Sequence, residues 1–476
     1  MRTSIDVDYE TEGRDRYFEG GFCPIDIGDR IADRFTVLHK LGYSGYSTVW
    51  LVRDEERRHG NYVALKVISA QYSDRYETPG VLELIRRFEE DHGFPGRFLI
   101  ELERVFHTSP NGRHLCQVFS VLGPSLSSVT EATHRLYPSY IKGFARELTE
   151  AVDIMHSMGI FHGDLTLHNV AIRLAKPLDC LTKDQLLEII GLPLAQRFKP
   201  RGVEEDSPHW PEFAYLNADL GLLPPEYFST RLCILDFDQA FLANDPPRAI
   251  SNIPLPYLAP ESIFTLTNGP AADIWALGSI LFCLRDTCHL FQPFTFSTIE
   301  GTVMEMCTLL GLPPKEWWKV PFHDGLPIHG PLPPDMEHYY LIQEMDDNSG
   351  KRGLEYWVRR IKEPVPASES TPKTAIQQLC LSVPVFNALN DREEKDFEAR
   401  HMTPIQEKDA DLFFDLLRKI FTYDRHKRAT AEQILEHPWL KDSGLRSDVT
   451  NTQNSVTGES GKDASRESAM SEEARL

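Results

Sequence analysis

The stretch His162-Gly-Asp-Leu-Thr-Leu-His-Asn169 places an aspartate, and an asparagine five residues later, directly after a predicted amphipathic helix that ends at Gly159. A carboxylate at Asp164 can accept the proton of an attacking hydroxyl group. The amide of Asn169 can turn back to ligate a metal ion carried by a nucleotide. Each residue alone is a weak signal, because aspartate and asparagine occur in many turns. The stretch therefore indicates phosphoryl transfer only in combination with other motifs.

Two further motifs supply that combination. The run Ile234-Leu-Asp-Phe-Asp238 puts Asp236, a second candidate metal ligand, directly after an apolar strand. Upstream, Tyr62–Ile68 is typical of a buried strand and contains one lysine, Lys66. A buried ammonium group is rare and needs a partner. The alternative for Lys66 is an edge strand that points the side chain at water.

Residues 35–52 are typical of a β-hairpin whose turn, at residues 42–47, is rich in small residues. Such a turn can lay backbone N–H groups over phosphates. An ordinary glycine hairpin fits this motif equally well when it is considered alone. Further strands and helices are predicted at 62–68, 80–91 and 115–122, and from a cap at Ser139.

Composition limits the kind of protein. A net charge of -21 over 476 residues disfavours nucleic acid as a direct partner and favours a basic peptide, although solubility alone also explains it. The eight cysteines form no Cys-x-x-Cys pair, which predicts reduced thiols and no zinc site. The polar start and the lack of a membrane-length apolar run predict a soluble protein of the cytoplasm, with the nucleus left open.

In order, the motifs resemble a eukaryotic protein kinase over roughly residues 35–440. The series is the glycine loop, Val63-Ala-Leu-Lys66, the two aspartate motifs, Ala259-Pro-Glu261, Asp273-Ile-Trp-Ala-Leu-Gly278 and Arg428. Within kinases the chain is similar to the SR-protein kinases in a divergent fungal form. That similarity rests on the arm Gly20-Gly-Phe-Cys-Pro-Ile-Asp-Ile-Gly-Asp29, the loop end Tyr46-Ser-Thr-Val-Trp-Leu51, and an insertion near 175–232 where this family has a spacer.

The resemblance implies an α+β fold of two lobes with ATP between them. A flexible start at 1–16 precedes a β-rich lobe at 17–122, a mainly helical lobe at 123–440 and a disordered tail at 441–476. The family is expected to act as a monomer on basic Arg/Ser-rich proteins. By the same resemblance Asp273 would brace the catalytic segment and Glu261 would pair with Arg428.

The resemblance also implies the site residues. Asp164 would be the catalytic base, Lys66 would hold the α- and β-phosphates, and Asn169 and Asp236 would bind Mg²⁺. Phe119 would take the gatekeeper position. The remaining ATP contacts would come from the glycine loop, the strands beside it and the backbone after the gatekeeper, namely Leu41, Gly42, Tyr43, Ser44, Gly45, Val49, Ala64, Ser120 and Leu122.

Four positions depart from the kinase pattern. Ser44 stands where the second loop glycine belongs. Gly163 replaces the arginine that reads a phosphorylated activation loop, which suggests that this switch is missing. Thr166 replaces the lysine that contacts the transferred phosphate, and a missing charge there typically costs a few kcal/mol. Asp238 replaces the glycine of Asp-Phe-Gly and adds negative charge near the metal ligands.

The partner of Lys66 is an open question in the sequence. A kinase supplies a glutamate from the helix that follows the lysine strand. Within residues 77–90 the register fits Val81 best, and valine cannot serve. Glu83 lies opposite the predicted apolar stripe of Val81, Leu84, Ile85 and Phe88, and Glu77 precedes a proline. Glu83, Glu77 and no partner at all are therefore the alternatives.

Three functions compete. The first is an active serine/threonine kinase for Arg/Ser-rich substrates, since Lys66, Asp164, Asn169 and Asp236 are all present. The second is a pseudokinase that acts as a binding module, because four departures occur together. The third is a small-molecule phosphotransferase of the aminoglycoside or choline kinase type, which shares the two aspartate motifs. That group lacks Ala-Pro-Glu and Asp-x-Trp-x-x-Gly, so the third function is disfavoured.

Removing residues 441–476 should leave the melting temperature of the protein unchanged. These residues are rich in Ser, Glu, Asp and Lys and contain almost no apolar side chains, so they bury little surface. Differential scanning calorimetry of the full and shortened chains measures this directly. A fall of several degrees would contradict the prediction.

Overall fold

A computed structural model describes residues 11–76, 80–93, 96–130, 134–197, 207–245, 253–292, 298–332, 336–344, 353–365, 374–382 and 397–441. Residues 1–10, Glu77 and 442–476 lie outside these ranges. The structure therefore does not place Glu77 as a partner for Lys66, and it does not describe the tail predicted to be disordered.

The N-terminal part of the described chain forms a six-stranded sheet in the order β1-β2-β3-β4-β6-β5. All neighbouring strands are antiparallel. The hairpin predicted at 35–52 and the strand that contains Lys66 are confirmed. The strand predicted at 115–122 ends earlier, at Phe119. The strands are Arg30–Ile31 (β1), Phe35–Tyr43 (β2), Ser47–Asp54 (β3), Tyr62–Ile68 (β4), Glu103–Ser109 (β5) and Gly112–Phe119 (β6).

Two helices follow β4, namely Ala70–Ser73 (α1) and Gly80–His92 (α2). The predicted helix at 80–91 is confirmed, but its buried face is different. Val81 and Ile85 are buried together with Leu82, whereas Leu84 is 39 % exposed. The opposite face carries Glu83, which pairs with arginines three and four residues later. The apolar stripe is therefore rotated from the predicted one, because Leu82 takes the place expected for Leu84.

The N-terminal arm is anchored to the sheet by a buried ion pair. The ammonium group of Lys40, on β2, donates to a carboxylate oxygen of Glu12. The other oxygen of Glu12 accepts a hydrogen bond of 2.6 Å from the Tyr17 hydroxyl. Both Lys40 and Glu12 are buried. An unpaired charge at this depth would be costly, so Glu12 is fixed although the sequence places it in a loose segment.

The C-terminal part is mainly helical and packs around one large apolar cluster. Its central helix, α7, is buried from Ala272 to Arg285 on all sides, as expected of a core helix that is apolar all round. The helices are Leu126–Val129 (α3), Pro138–Ser157 (α4), Lys183–Ile190 (α5), Pro260–Thr265 (α6), Pro270–Asp286 (α7), Ile299–Leu310 (α8), Leu354–Arg359 (α9), Ala375–Leu379 (α10), Glu407–Ile420 (α11), Ala431–Leu435 (α12) and Pro438–Lys441 (α13).

Helix α4 begins two residues earlier than a cap at Ser139 requires. Tyr137 is the cap and Pro138 is the first helical residue. Proline is well suited to that position, because its φ is already helical and the first helical N–H has no partner within the helix. The cap predicted at Ser139 is therefore wrong, while the predicted apolar stripe of the helix is buried.

Short two-stranded ladders complete the described fold. They pair His134–Leu136 (β7) with Cys380–Ser382 (β17), Ile160–Phe161 (β8) with Phe241–Leu242 (β13), Val170–Leu174 (β9) with Phe228–Ile234 (β12), Ala195–Arg197 (β10) with Phe213–Tyr215 (β11), Phe322–His323 (β14) with Leu326–Pro327 (β15), and Lys362–Pro364 (β16) with Met402–Pro404 (β18).

The described part of the insertion packs against the sheet. Tyr215 lies edge-on to Trp50 of β3 with ring centroids 6.1 Å apart. Its hydroxyl donates to Asp26 of the arm over 3.0 Å. Leu186 and Ile190 of α5 join the apolar cluster that contains Leu38, Leu51 and Tyr62 of the sheet. The insertion therefore covers apolar surface of the sheet. Among the described residues no helix is both long enough and apolar enough to cross a bilayer.

The predicted pair of Glu261 and Arg428 is present and buried. The guanidinium donates to the two carboxylate oxygens over 2.7 and 2.8 Å. It also donates to the backbone carbonyls of Ala271 and Thr422. The pair ties α6 to the loop before α12.

Replacing Arg428 by alanine should lower the free energy of unfolding by about 3–5 kcal/mol, because it leaves the Glu261 carboxylate buried without its partner. Urea denaturation followed by circular dichroism measures the change. Lys427→Ala is the matched control, since the Lys427 side chain is 78 % exposed, and it should change stability little. A loss below about 1 kcal/mol in Arg428→Ala would contradict the structural role of the pair.

Candidate active site

The segment His162–Asn169 is fixed in place by one buried carboxylate on α7. Asp273 accepts hydrogen bonds from the backbone N–H groups of His162 over 2.8 Å and of Gly163 over 3.0 Å. His156 also contacts it, at 3.1 Å. Burial opposes the charge of Asp273, but these donors hold its pKa below the usual value. The bracing role expected for Asp273 is confirmed.

Gly163 stands where kinases carry arginine, and the backbone explains the glycine. Its φ is +73°, in the left-handed region. A Cβ atom at this position would lie 2.9 Å from the backbone oxygen of Gln239, which is too close. The loop therefore excludes a larger side chain at Gly163 in this conformation.

The Asp164 carboxylate has one oxygen held by Asn169 and one that is buried without a partner among the described residues. Its Oδ2 accepts a hydrogen bond of 3.1 Å from Nδ2 of Asn169, and the same Nδ2 donates to the Asp164 backbone oxygen over 2.9 Å. The other oxygen, Oδ1, is buried and has no hydrogen-bond partner among the described residues. An unpaired buried acceptor is costly, so Oδ1 is prepared to receive a proton donor.

Asn169 is oriented by the same contacts. Its amide nitrogen faces Asp164, so its amide oxygen is the atom that would ligate a metal ion. The N–H of Asn169 points to the hydroxyl of Thr166 at 3.3 Å. Thr166 is buried, and its side chain therefore supports the turn between Asp164 and Asn169. This is a local reason for threonine where kinases carry lysine.

Asp236 follows β12 with a φ of +64°, an uncommon value for a residue other than glycine. The next side chain, Phe237, lies between the rings of His162 and Phe98, with centroids 5.1 and 6.0 Å away. Phe98 is also joined to Ile234 by a backbone bridge. These ring contacts link the catalytic segment to the turn that carries Asp236.

Lys66 has two carboxylate partners, and neither comes from α2. Its Nζ lies 3.1 Å from Oδ1 of Asp236 and 2.8 Å from Oδ2 of Asp238. Glu83, one of the predicted alternatives, is 51 % exposed and pairs with Arg86 and Arg87. The expectation that Glu83 could hold Lys66 is therefore wrong, because the helix turns that side chain to solvent. From the sequence, Asp238 was identified only as a departure from the Asp-Phe-Gly pattern and not as a partner of Lys66.

The charges in this cluster stabilise one another. Burial alone would lower the pKa of Lys66, but the carboxylates of Asp236 and Asp238 hold it well above the usual value. Burial alone would raise the pKa of Asp238, but Lys66 and the hydroxyl groups of Tyr46 and Tyr76, which donate to its carboxylate, keep that pKa below the usual range. Burial and the nearby charge of Asp238 raise the pKa of Asp236, although Lys66 opposes them. The protein thus holds one cation beside two acids.

The residues predicted to contact ATP occupy neighbouring strands and the segment after β6. Cross-strand register puts Gly42 beside Val49, Val49 beside Lys66, and Ala64 beside Phe119. Leu41 and Tyr43 lie on β2 with Gly42, and Ser120 and Leu122 follow the end of β6.

The turn of the hairpin is closed by Ser44. Its N–H donates to the Ser47 carbonyl over 2.8 Å, and the two hydroxyl groups are 2.8 Å apart. A Cβ atom at Gly42 or Gly45 would meet no other atom within 4 Å. The serine side chain is therefore used within the turn, and the two glycines leave the backbone open to a ligand.

The residues present fit Mg²⁺ and ATP. The metal ligands would be the Asp236 carboxylate and the Asn169 amide oxygen, which are hard oxygen donors of the kind Mg²⁺ prefers. Among the described residues no group of three or more His, Cys, Asp or Glu side chains could hold a metal ion. Mg²⁺ is commonly bound by one or two protein carboxylates together with substrate phosphates and water.

Phosphoryl transfer should fall as the pH is lowered through about 7. Burial, and then the negative charge of Asp236, raise the pKa of the Asp164 carboxyl to about 7. Only the ionised carboxylate accepts a proton, so activity is retained above this pH and lost below it. We expect kcat/KM for ATP, which reports the free enzyme, to drop about tenfold per pH unit on the acid side. A constant value from about pH 8 to about pH 5.5 would contradict this assignment.

Residues 228–440 match the family described as the protein kinase domain. Protein kinase dsk1 of Schizosaccharomyces pombe is 35% identical over 185 residues, which are 37% of this chain and 32% of that protein. The serine/threonine-protein kinase SRPK of Physarum polycephalum is 29% identical over 186 residues, 38% of this chain and 43% of that protein. The matches thus span less than half the length of these curated relatives.

The fold is similar to the crystal structure of another kinase domain, with a TM-score of 0.50, 17% identity, and coverage of 87% of this chain and 98% of that one. At this identity the similarity concerns the fold alone. It agrees with the expected α+β class, in which a β-rich sheet precedes a mainly helical part. Residues 228–440 are thus similar to the protein kinase domain family, and the chain resembles the SR-protein kinases.

Proposed function

We propose that the chain is a serine/threonine protein kinase that transfers the γ-phosphate of ATP to serine in Arg/Ser-rich proteins. The observation that carries this proposal is the Asp164 carboxylate, which has one oxygen fixed by Asn169 and one buried oxygen without a partner among the described residues. Lys66 and Asp236 form an ion pair in the same site. These are the groups that phosphoryl transfer requires.

Each residue has a distinct task. Oδ1 of Asp164 receives the proton of the substrate hydroxyl as that oxygen attacks. Lys66 binds phosphate oxygens with its ammonium group. Asn169 and Asp236 hold Mg²⁺, which when bound neutralises negative charge on the phosphates. Asp273 keeps the segment with the base rigid, so that little reorganisation is needed during transfer.

Three observations support a basic substrate and activity without a phosphorylated activation loop. The chain carries a net charge of -21, which attracts cationic peptides at long range. The relative from Physarum is named SRPK, and its similarity supports the Arg/Ser-rich class. Gly163 provides no guanidinium to read a phosphate, and its backbone angle excludes one in this conformation. We propose a monomer that acts on protein rather than on nucleic acid.

A second candidate, a pseudokinase that binds nucleotide without transfer, is favoured by one contact. The hydroxyl of Tyr46, in the glycine loop, donates to Asp238. This bond joins the loop to the segment after Asp236 across the site. A glycine loop held in this position would hinder transfer, and the protein would then act by binding its partners through its surface.

Transfer of labelled phosphate from ATP, with Mg²⁺, to an Arg-Ser repeat peptide and to a neutral serine peptide separates the two candidates. We expect transfer to the Arg-Ser peptide, and a loss of at least about 100-fold in Asp164→Asn, because an amide cannot accept the proton. Asp411→Asn is the matched control, since that aspartate is exposed on α11 and pairs with Arg359.

The outcomes are distinct. Transfer that favours the Arg-Ser peptide and is lost in Asp164→Asn supports the kinase. Activity retained in Asp164→Asn overturns the role of the base. No transfer to either peptide, with ATP still raising the melting temperature, favours the pseudokinase. Equal transfer to both peptides contradicts the proposed preference for Arg/Ser-rich substrates but still supports kinase activity.

A further inference from the structure

We infer that Asp238 positions Lys66 for phosphate binding, in place of the glutamate that kinases supply from the helix after the lysine strand. The inference rests on the proposed kinase function and names a residue that the kinase pattern does not use. Asp238 occupies the glycine position of Asp-Phe-Gly, and its Oδ2 lies 2.8 Å from Nζ of Lys66. Asp238 is therefore a positioning residue, which acts on the nucleotide through Lys66.

The first argument is that the described part of α2 offers Lys66 no carboxylate. Val81, at the register of the missing glutamate, is buried and apolar. Glu83 pairs with arginines at the surface. Glu89 accepts hydrogen bonds from the backbone of Gly96 and Arg97 and so is committed elsewhere. Lys66 is 12 % exposed, and an ammonium group at that depth needs an acid.

The second argument is that Asp236 alone cannot do both tasks. Its carboxylate lies 3.1 Å from Lys66, but it is also the expected Mg²⁺ ligand. When the ion occupies that carboxylate, Lys66 still requires a fixed partner if its ammonium is to remain directed at the phosphates. Asp238, two residues further along the same turn, provides a second carboxylate for this task.

The third argument is that Asp238 is itself held. The Tyr46 hydroxyl donates to its Oδ2 and the Tyr76 hydroxyl donates to its Oδ1. Tyr46 also lies over Lys66, with Nζ 5.3 Å from the ring centroid. Tyr46 comes from the glycine loop and Tyr76 from the segment before α2. Both residues that donate to Asp238 therefore belong to the N-terminal part of the chain, which contains the six-stranded sheet. A side chain fixed by three donors has the rigidity that a positioning residue needs.

The first experiment needs no catalysis. Lysines of the nucleotide-free protein are modified by reductive methylation, and the rate at Lys66 is read by mass spectrometry. We expect Asp238→Asn, which keeps the shape but removes the charge, to raise the rate at Lys66 by about tenfold or more, because its strongest charge-assisted contact is lost. The rate at Lys40, which is fully buried on β2, reports any general loosening of the fold. Asp74→Asn, whose side chain is 70 % exposed and pairs with Arg113, is the matched control.

The second experiment uses steady-state kinetics with ATP and Mg²⁺. We expect Asp238→Asn and Asp238→Gly to lower kcat by about tenfold or more, with a smaller change in KM for the peptide, since peptide binding does not use Lys66. The conservative variant Asp238→Glu should retain more activity than either. Asp74→Asn should behave as the unaltered protein.

Moving the carboxylate back to α2 tests directly whether Asp238 takes the place of the glutamate that kinases carry on that helix. In Asp238→Gly/Val81→Glu the acid returns to α2, and we expect part of kcat and the slow methylation of Lys66 to return with it. Leu82→Glu in the same background is the control, because Leu82 is also buried and occupies the adjacent position of the helix. The assignment of Val81 to the position of the missing glutamate would be contradicted if the Asp238→Gly/Val81→Glu variant kept the original melting temperature but regained neither property.

Failure of this inference is distinguishable from failure of the proposed function. If the protein transfers no phosphate, the methylation rate at Lys66 still decides whether Asp238 holds it. An unchanged rate in Asp238→Asn would overturn the inference whatever the activity. A rise in kcat for Asp238→Asn would also overturn it, because Asp238 would then be withdrawing Lys66 from the phosphates.

Discussion

The ion cluster around the ammonium group of Lys66 is the interaction on which the site depends. A lysine in the middle of a buried strand stays charged only where carboxylates compensate the loss of water. Here both carboxylates, on Asp236 and Asp238, come from the turn after β12. The sheet and the helical part of the chain are thus joined at the place where chemistry is expected. Tyr46 and Tyr76 extend the same cluster to the glycine loop and to the segment before α2.

A second buried carboxylate gives the catalytic segment its shape independently of that cluster. Asp273 sits on a helix that is buried on every side, so its position is set by packing and not by the site. Its hydrogen bonds to the backbone of His162 and Gly163 fix the chain just before Asp164. The base is therefore positioned by the helical core, whereas Lys66 is positioned by the turn that carries Asp238. The contact between the rings of His162 and Phe237 joins these two supports.

The sheet shows the same solution to a buried charge at a second place. Lys40, two strands away from Lys66, is buried and takes its carboxylate from Glu12 of the N-terminal arm. The arm and the described part of the insertion also meet at Asp26 and Tyr215. Both segments lie outside the common kinase motifs, yet they cover the sheet that carries the lysine. The pair of Lys40 with Glu12 anchors the strand that leads directly into the glycine loop.

The sequence by itself determined the order of motifs, the hairpin, the strand of Lys66 and the helices around the catalytic segment, because local periodicity and turn chemistry dictate them. The resemblance to protein kinases, and not a local pattern, predicted the bracing by Asp273 and the pair of Glu261 with Arg428. The sequence could not find the partner of Lys66, because a glutamate on α2 and an aspartate about 170 residues away compete through tertiary distance alone. Likewise, only the tertiary structure showed that α2 buries Leu82 and not Leu84, and that Gly163 faces the backbone of Gln239. Such choices depend on which surfaces meet, and a one-dimensional pattern does not contain that information.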